Sequence, residues 1–255
     1  MNTTVIGIDF ATQPRDIGLA LGHFNERTTT ILQVTTRLKT MDDVVNTTVG
    51  WMPSGGQTLI ALDAPLGWPK EMSRALVGHK AGEQLGATAN SMFHRETDSV
   101  VRDLTGKLPL EVGANLIART AHAALEFLRQ LEDRTHQPIR LAWNPPSRFG
   151  LLVIEVYPAA TTHAHRIHLV GKPSYKKGKG GWQGVLGTIV ERLQEGKELR
   201  LPDDVKDFIV NDHALDAVVC VLAGVDFLLG DAIPPTAEQF ETARKEGWIW
   251  VHKPS

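Results

Sequence analysis

Apolar positions come in short runs over the first quarter of the chain and change period afterwards. Residues 3–10 (TTVIGIDF), 17–24 (IGLALGHF), 29–35 (TTILQVT) and 58–63 (TLIALD) are runs of strand length rich in Val, Ile, Leu and Thr, which predicts four strands. Pro14 and Asp16 in the link TQPRD are turn residues, so the first two strands are expected to form a hairpin. Met41 to Trp51 predicts a short helix closed by Pro53, Gly55 and Gly56. From about 66 to 150 the pattern is mostly helical, strongest at 113–134, and WNPPSRFG ends it with turn chemistry. Residues 151–157 (LLVIEVY) return to strand and stop at Pro158. Helices are expected at about 184–195 and 211–229, and the tail EGWIWVHKP reads as a final edge strand. The order βββαβ, insertion, β, α predicts one α/β domain over residues 1–255 with a helical insertion at about 66–150.

Composition narrows this little. A chain of 255 residues with 42% apolar and 22% charged residues is an ordinary globular protein. A net charge of −2 argues against a protein that wraps long duplex DNA. The one cysteine, Cys220, excludes an internal disulfide and fits a reducing compartment. It sits in an apolar run and reads as a core residue. The N-terminus has no signal-peptide pattern and no apolar run reaches membrane-spanning length. A cytoplasmic location is the expectation.

Three of the predicted strands carry an acid after an apolar run: Asp9 after VIGI, Asp63 after LIAL and Glu155 after LLVI. A carboxylate at the end of a buried strand is costly unless it is paired or binds a metal. If the strands share a sheet, the acids can meet, and a divalent cation relieves their repulsion. Oxygen ligands without cysteine point to Mg²⁺ or Mn²⁺. In NDHALDAVVCVLAG, Asp212 and His213 each share a helix face with Asp216, at spacings of four and three. Asp212 also suits a helix N-terminus.

Two basic features are candidate substrate contacts. Arg95, Asp98 and Arg102 fall at i, i+3 and i+7, a helical stripe able to grip phosphates. Lys172, Lys176, Lys177 and Lys179 crowd a Gly-flanked loop with Tyr175 and Trp182, a composition suited to single-stranded nucleic acid. His163, His165 and His168 crowd TTHAHRIH, but no carboxylate or cysteine adjoins them, so they are not read as a metal site.

The stretches GIDFA, ALDAPLGWP, FHRETD, VIEVYPA, YKKGKG, HALDA and EGWI together resemble the domain of unknown function 429 family, over nearly the whole chain. HALDA is also similar to the closing helix of RuvC-type resolvases, where a His or Asp precedes a second Asp by three. The resemblance implies an RNase-H-like fold, a mixed five-stranded sheet flanked by helices. It implies a metal-dependent nuclease with Asp9, Asp63, Asp216 and His213 as catalytic residues. Asp9, Asp63, Glu155, Asp212 and Asp216 would hold two Mg²⁺ or Mn²⁺ ions, although Glu155 is not at a standard position of that superfamily. Nucleic acid or a short oligonucleotide would be the substrate. The alternatives are an actin-like or sugar-kinase-like phosphotransferase, disfavoured by the lack of a second GxG phosphate loop, and a non-catalytic nucleic-acid-binding module.

Overall fold

The computed structural model describes residues 2–113, 115–167, 182–195 and 199–253. Its strands are β1 (Asn2–Asp9), β2 (Gly18–Asn25), β3 (Thr28–Thr35), β4 (Gln57–Asp63), β5 (Arg140–Leu141), β6 (Leu151–Glu155) and β7 (Leu199–Arg200). Its helices are α1 (Met41–Gly50), α2 (Lys70–Leu76), α3 (Ala89–Phe93), α4 (Glu96–Thr105), α5 (Asn115–Thr135), α6 (Pro158–Ala164), α7 (Trp182–Glu195), α8 (Asp203–Lys206), α9 (Asp212–Leu229) and α10 (Phe240–Glu246).

The strands form one sheet in the order β5-β6-β4-β1-β2-β3-β7. β1 and β2 make the expected hairpin, and β2 and β3 are also antiparallel. β1 with β4, β4 with β6, β5 with β6 and β3 with β7 are parallel. Among the described residues the sheet thus has seven strands and not five. The two additions, β5 and β7, are two-residue edge strands, too short to leave a periodic signal. The tail is not the edge strand expected of it. It touches the sheet through one parallel bridge, Glu155 to Ile249, and runs back along Ala232 through an antiparallel bridge at His252. Trp248, Ile249, Trp250 and Val251 are all buried, so burial rather than pairing explains their apolar character.

Alternation of side chains sorts the core into two layers. Ile6, Ile8, Ile60 and Leu62 meet Val44 and Val45 of α1 and Ala124, Phe127 and Leu131 of α5 on one face. On the other face Val5 packs with Ala217, Val218 and Val221 of α9, while Leu59 and Ala61 pack with Cys220 and Ala223. Every residue of α9 from Ala214 to Phe227 is buried. Small strand residues let this helix sit close. A Cβ on Gly7 would stand 2.1 Å from the Ala217 carbonyl oxygen, and one on Gly18 would stand 2.0 Å from that of His213. α9 therefore crosses β1 and β2 with almost no side-chain layer between, its first turn level with the end of β1. No described helix is long and apolar enough to cross a membrane.

Candidate functional site

Asp9 and Asp63 are register partners, the last residues of two adjacent parallel strands. Open α/β sheets bind ligands at this carboxyl end of their strands. Both acids follow residues of the α9 face by strict alternation, Gly7 before Asp9 and Ala61 before Asp63. Asp9 is largely buried and Asp63 partly exposed.

α9 supplies the rest. Its N-cap, Asn211, accepts the backbone N–H of Ala214 through Oδ1 at 2.9 Å. His213 follows and donates Nδ1–H to Asp9 Oδ2 at 2.7 Å. A carboxylate only accepts, so Nδ1 carries the proton in this contact. Asp216 is 1% exposed, one helical turn further on. Its place beside Asp9 and Asp63 is felt at Cys220: burial first, then the charges of Asp63, Asp9 and Asp216, hold that thiol well above its ordinary value. Its Sγ–H points to the Ile8 carbonyl oxygen at 3.6 Å. Asp212 opens α9 in a buried position, where the helix dipole favours a negative charge. The expected set Asp9, Asp63, Asp216 and His213 is thus brought to one end of the sheet, with Asp212 in the same helical turn as His213.

Glu155 is not part of that set. It pairs with Leu62 and not with Asp63, and a one-residue offset turns a side chain to the opposite face. There it meets Arg95. Arg95 Nη1 donates to Glu155 Oε2 at 3.0 Å, and Nη2 lies 2.7 Å from Oε1. The backbone N–H of Leu66 donates to Oε2 at 3.0 Å. These partners engage both oxygens of the Glu155 carboxylate, away from the register of Asp9 and Asp63. Burial pushes its carboxyl up, and Arg95 pulls it back.

Arg95 is corrected with it. It is the N-cap of α4 rather than part of a helical stripe and is 2% exposed. Its other donors hold Asp98, Nη2 to Oδ1 at 2.9 Å, and the Glu246 carbonyl oxygen, at 3.2 Å from Nη1. Its charge is already matched by two buried carboxylates, Asp98 and Glu155. Arg102 is exposed and pairs with Asp103 at 3.1 Å. It borders a cavity of about 300 Å³ whose lining includes none of the clustered acids. Lys172, Lys176, Lys177 and Lys179 lie outside the described residues.

The pattern of strand-end acids missed Glu246, whose carboxylate accepts the backbone N–H groups of Lys70 and Glu96, each at 2.7 Å. It also missed a second His–carboxylate group. Asp226 accepts from His165 Nε2 at 2.8 Å and from His252 Nδ1 at 3.1 Å. The local signals were Asp226, an acid far along a largely apolar helix, and His165 in the histidine-rich TTHAHRIH, which had no carboxylate beside it in sequence.

Beside Asp63 lies a cavity of about 220 Å³, walled by Phe10, Pro65, Leu110, Ile117 and Tyr157, with Arg95 and Glu155 also on its lining. Among the described residues, one set of three possible ligands falls within 4.8 Å, and it is His165, Asp226 and His252.

No curated protein and no solved structure matches the chain. The sequence profile of a protein family does match, over residues 7–239. The chain belongs to that family, the proteins of unknown function designated DUF429.

Proposed function

We propose that the chain is a divalent-metal-dependent hydrolase of phosphodiester bonds, with nucleic acid or a short oligonucleotide as substrate and an RNase-H-like arrangement of its central strands. The observation that carries this reading is the register of Asp9 against Asp63 at the carboxyl end of two parallel strands, with α9 laying His213 and Asp216 over them.

The donor set fits Mg²⁺ or Mn²⁺. It is made of hard oxygen ligands, and three gathered carboxylates need cationic compensation. In two-metal sites of this chemistry the ions stand about 4 Å apart. Asp9, Asp63 and Asp216 would hold the ions, with Asp212 as a further candidate. Bound there, the ions would supply an activated water and stabilise the leaving oxygen.

The chain's own residues have separate tasks. His213 holds Asp9 in place through Nδ1–H. The cavity beside Asp63 has apolar and aromatic walls, which suit the flat face of a base.

The test is a cleavage screen of labelled single-stranded, duplex and branched DNA and RNA, with and without Mg²⁺ or Mn²⁺. Asp63→Asn should leave binding nearly intact and remove cleavage. Tight ATP binding with no nucleic-acid binding at low salt would replace this reading with the kinase-like one. Binding without metal-dependent cleavage of any substrate would leave only a binding module.

A further inference from the structure

At the far end of α9, three elements bring His165, Asp226 and His252 together. Ten residues separate Asp226 from Asp216, about 15 Å of helix, so this group is distinct from the acid cluster. Asp226 is 4% exposed and both histidines are half-buried. The two imidazoles lie 4.3 Å apart between centroids, tilted by 34°. Each presents one nitrogen to a different oxygen of the same carboxylate.

We propose that His165, Asp226 and His252 form a binding site for a zinc-type divalent cation, independent of the hydrolase reading. Two imidazole nitrogens and one carboxylate oxygen are a donor set for Zn²⁺ or Co²⁺, whereas Mg²⁺ prefers oxygen ligands. The three ligand atoms already lie within 4.8 Å of one another. Zn–N and Zn–O bonds of about 2.0–2.2 Å place tetrahedral ligands roughly 3.3 Å apart, a contraction that side chains can make. A cation between them replaces two hydrogen bonds with coordinate bonds and compensates the buried carboxylate.

The backbone holds all three in place. His165 ends α6, its N–H bonded to the Thr161 carbonyl oxygen at 3.0 Å. Asp226 belongs to the buried helix α9. His252 lies between two backbone bonds of the tail, Ile233 N–H to Val251 O at 2.9 Å and Lys253 N–H to Asp231 O at 2.8 Å. Ligands fixed on three separate elements are preorganised, and a cation there would tie the tail to α6 and α9. With three protein ligands, the fourth tetrahedral position falls to water.

Metal-free full-length protein is titrated with Co²⁺, followed by the visible absorption of tetrahedral Co²⁺, and then with competing Zn²⁺ or Mg²⁺. One equivalent should give the tetrahedral band, Zn²⁺ should abolish that band by displacement, and millimolar Mg²⁺ should not. His252→Ala and Asp226→Asn should each weaken binding at least tenfold and remove the rise in Tm that Zn²⁺ gives the wild type. His213→Ala should keep both. His252 is partly exposed, so its variant carries the test if Asp226→Asn does not fold. Absence of a tetrahedral Co²⁺ band in the wild type, equal binding by His252→Ala, or loss of binding in His213→Ala would overturn the proposal.

Discussion

Replacing Arg95 by Met removes a buried charge while keeping a long apolar side chain in its place. Five contacts go with it: two to Glu155, two to Asp98 and one to the Glu246 carbonyl oxygen. Two are kept, the Arg95 backbone N–H to Asp98 and the Leu66 N–H to Glu155. Breaking a buried pair from one side costs about 3–5 kcal/mol, because the remaining carboxylates stay buried without their cation. That is a large share of the roughly 5–15 kcal/mol by which a protein of this kind is stable. For a chain of this length it lowers Tm on the order of 10 °C.

The loss also depends on pH. Burial already holds the Glu155 carboxyl above its ordinary value, and Arg95 opposes it. Without Arg95 the folded-state value rises further above the unfolded one. The folded state then binds the proton more readily, so stability falls as pH rises above the ordinary carboxylate range. Urea unfolding followed by tryptophan fluorescence at pH 5 and pH 8 should therefore show the larger loss at pH 8. The double variant Arg95→Met, Glu155→Gln should cost less than the sum of the single ones. A loss below about 1 kcal/mol that does not change with pH, together with weakened nucleic-acid binding, would refute the structural assignment and return Arg95 to substrate contact.

Other expectations follow from the helix crossing and the acid cluster. Gly7→Ala should destabilise by about 1–3 kcal/mol or more, read by urea unfolding, because its Cβ meets the backbone oxygen of Ala217 and not a flexible side chain. Cys220 should resist alkylation at pH 8 in the folded protein and react at once in guanidinium, since burial and three nearby carboxylates disfavour its thiolate. Millimolar Mg²⁺ or Mn²⁺ should raise Tm in the wild type, and Asp9→Asn should remove most of that rise in a thermal scan. Equal shifts in both proteins would count against ligation by Asp9.

The hydrophobic pattern by itself determined the hairpin, the central strands and the main helices, because each depends on local periodicity. It also exposed Asp9, Asp63 and Asp216, each conspicuous as an acid within or ending an apolar run. That Asp9 faces Asp63 required the parallel register of β1 with β4, a pairing of segments some fifty residues apart in sequence. Glu155 shows the limit of the same pattern. Its run reads like the other two, yet β6 is paired one residue out of step with Asp63, and no local feature encodes a register between strands. Arg95 looked like a surface cation because burial of a charged residue depends on partners elsewhere in the chain, here Glu155 sixty residues away. His165 and His252 stand 61 and 26 residues from Asp226. Their meeting was decided when α6 and the tail packed against α9.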